Sequence, residues 1–194
     1  MTCIVGIEDP DTGSVYIGGD LCVSSTHLKA TSWFPKVFYN GEFLIGTAGD
    51  LRFNQIMQHR FEPPEYRPDR QDLYEYMCVD FVDALRECMV ESGYGRESGV
   101  ADCGEDGGVA LIGYGHTLWT VYSDFTVFRS DNNYATVGSG EHVALGALYV
   151  LRVLNGVSGL HVKEQVEMAI HAAGTHVLTV DRQVCVLSLP QHQE

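Results

Sequence analysis

The chain has 194 residues, of which 45% are hydrophobic and 20% charged, a composition typical of one globular domain that spans residues 1–194. Its formal net charge of −14 disfavours nucleic acid as a partner, because phosphate groups would be repelled. The sequence contains neither the roughly 18 consecutive apolar residues that would span a membrane nor the basic and apolar segments of a signal peptide.

The first quarter of the chain is predicted to form two β-hairpins. Residues 2–7 and 14–19 are apolar segments separated by residues 8–13, where proline, aspartate and glycine favour a turn. Residues 35–39 and 42–46 flank Asn40-Gly41, a strong hairpin signal.

Two helices are predicted to follow. The first covers residues 51–61, with Asp50 as its N-cap. The second covers residues 72–92, where apolar side chains recur at steps of three and four residues and so lie on one face. The glycine-rich segment 93–108 predicts a surface loop.

The second half of the chain repeats the order of strands followed by helices. Strands are predicted at 109–113, 117–122, 125–129 and 134–137, helices at 141–155 and 162–173, and a closing hairpin at 175–180 and 184–189. This order lacks the strict alternation of a parallel α/β fold. It predicts an α+β fold in which stacked antiparallel sheets are covered by helices.

Five short motifs occur in order along these elements. They are Thr2-Cys3-Ile4-Val5-Gly6, Ile17-Gly18-Gly19-Asp20, Pro35-Lys36-Val37, Gly46-Thr47-Ala48-Gly49 and Val137-Gly138-Ser139-Gly140. In this order and spacing they resemble the motifs of proteasome β subunits and of the bacterial HslV peptidase, the N-terminal-threonine members of the Ntn-hydrolases. The resemblance covers nearly the whole chain and implies a four-layer αββα sandwich, with two antiparallel sheets between helix layers.

Thr2 is the candidate nucleophile. A threonine hydroxyl is weakly nucleophilic at neutral pH, but removal of Met1 would leave Thr2 with a free α-amine that can accept the hydroxyl proton. The ammonium of Lys36 would favour the alkoxide and keep the amine neutral, and Asp20 would hold that ammonium in place. The alternative interpretation of Asp20 and Lys36 is a surface ion pair of little energetic value.

The resemblance implies two further catalytic groups. Gly49 would donate its backbone N–H to the oxyanion, and Ser139 would hydrogen-bond the threonine amine and relay protons. Each has a simpler interpretation as well, because a glycine often precedes a helix and a serine before a helix is often its N-cap.

The resemblance also places an extended peptide substrate between two strand edges. The matching positions are Ser24 on one edge and Thr47, Ala48 and Gly49 on the other, and Cys22 and Val23 would flank the first specificity pocket. Thr47 falls where the family has the floor of its first specificity pocket. The small and mostly apolar lining suggests tolerance of apolar substrate side chains.

The chain departs from the family pattern after its last helix, where Thr175 replaces the usual aspartate. Three functions therefore stay open. The first is a threonine peptidase in stacked homo-oligomeric rings that acts on peptides or unfolded protein, with an AAA+ unfoldase as a possible partner. The second is a noncatalytic ring subunit. The third is a small-molecule amidase of the same superfamily, although such amidases often begin with cysteine or serine, and here Cys3 follows Thr2.

No cofactor is expected. The six cysteines are scattered, with no CxxC pair and no cluster with histidine, which disfavours structural zinc and suits a cytoplasmic location. The segment Gly46-Thr47-Ala48-Gly49 lacks the lysine of a Walker motif, so any ATP would have to be used by a partner.

Overall fold

The computed structural model describes residues 2–24, 29–31, 34–94 and 107–190. The strands are β1 (Ile4–Glu8), β2 (Val15–Asp20), β3 (Cys22–Ser24), β4 (Lys29–Thr31), β5 (Val37–Asn40), β6 (Phe43–Ala48), β7 (Val109–Tyr114), β8 (Thr117–Val121), β9 (Val127–Phe128), β10 (Tyr134–Val137) and β11 (Val184–Leu189). The helices are α1 (Leu51–His59), α2 (Leu73–Tyr76), α3 (Val82–Glu91), α4 (Glu141–Ser158) and α5 (Val162–His176). A π-helical turn, Met77–Phe81, joins α2 to α3.

Two antiparallel sheets form the centre of the fold. One has the strand order β10-β1-β2-β11, the other has the order β5-β6-β7-β8-β9, and β3 pairs with β4 in a separate hairpin. Side chains alternate between the two faces of a strand. On β1, Ile4 therefore faces the second sheet, whereas Val5 and Ile7 face α4 and α5, as does Cys3 just before the strand.

Each sheet is covered by helices on its outer face. The side chains of α4 and α5, including Leu148, Val166 and Ile170, pack on the first sheet. Those of α1 and of the α2–α3 helix, including Ile56 and Phe81, pack on the second sheet. The layers are thus helix, sheet, sheet and helix, and the predicted α+β sandwich is confirmed.

Two sequence predictions differ from the structure at the chain's later strands. The predicted strand 175–180 does not form, because α5 continues to His176 without a helix-breaking residue after Gly174. β11 therefore pairs with β2 and not with a hairpin partner. The predicted strand 125–129 shortens to β9, since Phe125 has a positive φ of 67° and turns the chain.

No helix among the described residues is long and apolar enough to cross a membrane. Most of the predicted loop 93–108 lies outside the described residues, as does Met1.

Candidate active site

Asp20 is the centre of the candidate site. It ends β2, is fully buried, and each of its carboxylate oxygens accepts two hydrogen bonds. Oδ1 accepts from the Cys3 backbone N–H at 2.8 Å and from Lys36 Nζ at 3.0 Å. Oδ2 accepts from the backbone N–H groups of Cys22 at 3.0 Å and Asp181 at 3.3 Å. One carboxylate thus connects the start of the chain, the lysine, β3 and the segment after α5.

Lys36 is buried as well, so its contact with Asp20 is not the surface ion pair of the alternative interpretation. Burial lowers the pKa of Lys36, and the nearby Asp20 carboxylate opposes that change. A buried ion pair contributes little to net stability. Here the ion pair positions the Lys36 ammonium, which lines the same cleft as Thr2.

The start of the chain is held by Ser139. The Thr2 backbone nitrogen donates to Ser139 Oγ at 3.2 Å, and Ser139 Oγ lies 3.3 Å from the Thr2 carbonyl oxygen. Ser139 Oγ is also 3.1 Å from Thr179 Oγ1. Because a hydroxyl has one proton, Ser139 donates to either the Thr2 carbonyl or Thr179 at any moment. Thr2, Ser139 and Thr179 form a chain of exchangeable protons.

Gly138 allows this close approach. Its φ is +96°, and a Cβ there would lie 2.3 Å from the Thr2 carbonyl oxygen. Only glycine fits without a shift of the backbone. The Gly140 N–H then donates to the same carbonyl at 3.3 Å, so the turn before α4 fixes the backbone of Thr2.

Gly49 lines the same cleft as Thr2. Its φ is +91°, and a Cβ would lie 2.5 Å from the Gly107 carbonyl oxygen. Within the described part of the chain, no group accepts a hydrogen bond from the Gly49 N–H. An unused backbone donor beside a candidate nucleophile is the arrangement that stabilises an oxyanion.

The cleft is lined by Thr2, Lys36, residues 47–51 and Asn54, and its free volume is about 10 Å³. Asn54 on α1 donates through Nδ2 to Thr47 Oγ1 at 2.6 Å. The floor of the cleft is therefore more polar than the mostly apolar lining that the sequence predicts. The sequence did not predict Asn54 as a site residue, because it lies on the buried face of α1 together with core residues such as Phe53 and Met57.

The other residues predicted to bind substrate differ in whether they reach the cleft. Ala48 ends β6 and lines the cleft. Cys22 is fully buried and contributes its backbone N–H to Asp20, so its side chain is not exposed to a substrate. Ser24 ends β3, the strand that would form one edge of the peptide groove.

Cys3 does not compete as a nucleophile. Burial, with the Asp20 charge as a lesser cause, raises the pKa of its thiol to about 12. The thiol is therefore protonated at neutral pH and inert. Among the described residues, no group of three or more His, Cys, Asp or Glu side chains could hold a metal ion.

Thr179 is a second residue near the site that the sequence did not predict. It lies in a segment predicted to be a strand, and nothing in the sequence indicates that it reaches Ser139. Thr175, which replaces the family's aspartate, is exposed, and its hydroxyl donates to the His171 carbonyl of its own helix at 2.8 Å.

No family model and no curated protein match the chain. Solved structures do. BPH of Thiobacillus denitrificans in complex with epoxomicin is 18% identical and superposes with a TM-score of 0.77, covering 99% of this chain and 100% of its own. A second structure of Thiobacillus denitrificans BPH is 19% identical, with a TM-score of 0.76, and covers 100% of this chain and 100% of its own. Eukaryotic HslV from Trypanosoma brucei is 18% identical, with a TM-score of 0.67 and coverage of 98% and 100%. The chain therefore has the fold of the HslV-like and proteasome β-type Ntn-hydrolases.

Proposed function

We propose that this chain is a threonine-type endopeptidase subunit whose nucleophile is Thr2 with a free α-amine. The observation that carries the proposal is the Asp20 carboxylate, which binds the Cys3 N–H and Lys36 Nζ through one oxygen atom. This links the residue after the nucleophile rigidly to the buried lysine. An ion pair with no role beyond the surface would not require a carboxylate oxygen shared between the backbone and the lysine.

The chemistry follows from these groups. The Thr2 Oγ1 attacks the carbonyl carbon of a peptide bond while the Thr2 α-amine takes the hydroxyl proton. The Gly49 N–H stabilises the negative oxygen of the tetrahedral intermediate. Collapse releases the amine product, protonated by the α-ammonium, and leaves an ester on Thr2. Water activated by the same amine then hydrolyses the ester.

Lys36 and Ser139 support the amine. A buried ammonium near the α-amine disfavours a second positive charge and so lowers the amine's pKa. Ser139 accepts from the Thr2 nitrogen in the present structure. Once that nitrogen is an amine with a lone pair, Ser139 can also donate to it, and Thr179 can pass the proton on.

We further propose that copies of this chain assemble into stacked rings that enclose Thr2, in the cytoplasm, and act on peptides or unfolded protein, with an AAA+ unfoldase as a possible partner. The helix layer formed by α1 and the α2–α3 helix carries exposed apolar side chains, including Leu51, Tyr74 and Val79, which suit a contact between rings. Five described cysteines are free, which suits a reducing compartment. Light scattering that reports a monomer at micromolar concentration would contradict the ring.

The test is covalent labelling followed by intact-mass measurement. Purified protein is incubated with epoxomicin, and its mass shows both whether Met1 is absent and whether one adduct forms. The matched control variants are Thr2→Ala and Thr31→Ala, the second at an exposed strand residue. We expect one adduct on the parent and on Thr31→Ala, and none on Thr2→Ala. Retained Met1 together with no adduct would favour a noncatalytic ring subunit.

A further inference from the structure

We propose that Asn54 is a positioning residue that holds Lys36 and Gly49 in place around Thr2. The proposal rests on the proposed function, since it concerns the geometry of the same catalytic groups. Asn54 is only 3% exposed, so it acts through the neighbours that it binds and not through contact with a substrate.

The Asn54 side chain joins the two chain segments that carry these groups. Its Nδ2 donates to Thr47 Oγ1 at 2.6 Å and lies 3.4 Å from the Pro35 carbonyl oxygen. An amide NH₂ group has two protons, so one nitrogen atom can serve both acceptors. Pro35 precedes Lys36, and Thr47 lies two residues before Gly49. This nitrogen atom therefore links the lysine segment to the segment that carries the candidate oxyanion donor.

Backbone hydrogen bonds complete the connection. The Thr47 N–H donates to the Lys36 carbonyl oxygen at 2.9 Å, and the Asn54 N–H donates to the Asp50 carbonyl oxygen at 3.4 Å. The second of these bonds lies in the first turn of α1, the helix that follows Gly49. Asn54 therefore fixes the start of α1, and with it the turn before the helix, relative to the backbone of Lys36.

Lys36 is thus held at both ends. Asp20 binds its Nζ at 3.0 Å, and the contacts made by Pro35 and Thr47 hold its backbone. The effect of an ammonium on a neighbouring amine depends on the distance between them, and an oxyanion donor acts only when it points at the oxyanion. A displacement of about 1 Å can lower a rate by roughly 100-fold, so the residue that fixes these segments affects catalysis.

Stability alone does not account for an asparagine at this position. The Asn54 Oδ1 is buried and has no hydrogen-bond partner in the described part of the chain. A buried acceptor in that state costs free energy that an apolar side chain of similar size would not. The other buried residues of α1 are apolar: Phe53, Ile56 and Met57. The contribution of Asn54 therefore lies in the contacts of its nitrogen atom.

The experiment separates activity from stability. A double variant, Asn54→Leu with Thr47→Val, replaces both partners of the 2.6 Å hydrogen bond by apolar groups of similar shape, a change that can be neutral or stabilising. We expect its urea midpoint to stay at or above that of the parent. We expect kcat for peptide hydrolysis to fall by roughly tenfold or more, with little change in KM, because transition-state geometry is lost and ground-state binding is kept.

The single variants show whether the two residues act as one unit. Asn54→Leu alone and Thr47→Val alone each break the same hydrogen bond, so each should lower kcat nearly as much as the double variant does. Losses that multiply in the double variant would indicate two independent effects and would contradict the proposal.

Asn40→Leu is the matched control. The Asn40 Nδ2 donates to the carbonyl oxygens of Met57 at 2.9 Å and Phe61 at 2.8 Å, at the other end of α1. The same chemical change there should lower the urea midpoint, because two carbonyl groups lose their donor, and should leave kcat unchanged. A loss of kcat as large as that in Asn54→Leu would show that any loosening of α1 lowers activity, and the proposal would be wrong.

Hydrogen exchange followed by mass spectrometry tests the connection without turnover. The backbone N–H of residue 47, which binds the Lys36 carbonyl oxygen, should exchange faster in the double variant than in the parent at equal global stability. Failure of epoxomicin labelling would contradict the peptidase, whereas faster exchange at residue 47 would still support the connection to Lys36. Unchanged exchange at residue 47, or an unchanged kcat in the double variant, would overturn the proposal.

Discussion

The two members of the buried ion pair are expected to differ sharply in their contribution to stability. In Asp20→Asn, the side-chain amide places an NH₂ group where one carboxylate oxygen accepted two hydrogen bonds. The new NH₂ group then faces two N–H donors with which it cannot form hydrogen bonds, and each lost hydrogen bond costs roughly 1–3 kcal/mol. Lys36 also loses its counter-charge. Removing one partner of a buried pair costs about 3–5 kcal/mol, and we expect a loss of unfolding free energy in that range.

Lys36→Met should cost less. The Asp20 carboxylate keeps the backbone N–H groups of Cys3, Cys22 and Asp181, so its charge stays hydrogen-bonded. The variant loses one charged hydrogen bond, worth roughly 1.5–3 kcal/mol. It also removes the desolvation of the ammonium, the burial effect that lowers the pKa of Lys36. The expected net cost is below about 2 kcal/mol.

Urea unfolding at constant m measures both costs as shifts in the midpoint. Peptide hydrolysis measured on the same samples should fall by orders of magnitude in both variants, because each loses the positioned ammonium. The reasoning is refuted if Lys36→Met destabilises the protein as much as Asp20→Asn does.

Three further outcomes are expected. Gly138→Ala should lower the unfolding free energy by roughly 2 kcal/mol or more. Gly115→Ala should lower it less, because Gly115 has a φ of +58° but open space around it. Equal melting temperatures of the two variants would contradict the close approach of Gly138 to Thr2. Thr179→Val should shift the pH profile of kcat/KM with little change in stability, and an unmoved profile would leave Thr179 without a role. Because burial lowers the pKa of Lys36 below 10.5, the unfolded chain holds the Lys36 proton between the two values when the folded chain does not. The stability of the parent relative to Lys36→Met should therefore rise with pH across that window, and a constant difference would contradict the lowered pKa.

The fold could be predicted well from local patterns. The Asn40-Gly41 turn forms with Gly41 at φ +57°, and Asp50 caps α1 by accepting from the Arg52 N–H at 2.6 Å, because both features depend on neighbours in the chain. The end of α5 could not be predicted. β-branched Thr175 and Val177 favour a strand locally, but the helix continues to His176.

The candidate site was predictable to the extent that it lies on motifs. The contact between Asp20 and Lys36 follows the family spacing, and the structure brings both beside Thr2. Asn54 and Thr179 belong to no motif. Their roles depend on contacts with Thr47 and Ser139 that are distant along the chain or on another element, so only the folded arrangement reveals them.

The missing aspartate after α5 leads to a last prediction. If the site were simply a weakened version of the family pattern, Thr175→Asp would restore the lost group and raise the rate of peptide hydrolysis. The structure argues against restoration, because Thr175 is exposed and its hydroxyl donates to His171 of its own helix. The Ser139 hydroxyl already has Thr179 as its neighbour at 3.1 Å.

We therefore expect Thr175→Asp to leave kcat/KM unchanged and to lower stability slightly. A negative charge in the last turn of a helix opposes the helix dipole and costs roughly 0.3–1 kcal/mol. Thr175→Asn, a neutral side chain of nearly the same shape, is the control and should show little of that loss. Peptide hydrolysis and urea unfolding are measured on both variants. A clear rise in kcat/KM for Thr175→Asp alone would show that position 175 reaches the catalytic groups, and that Thr179 does not replace the aspartate.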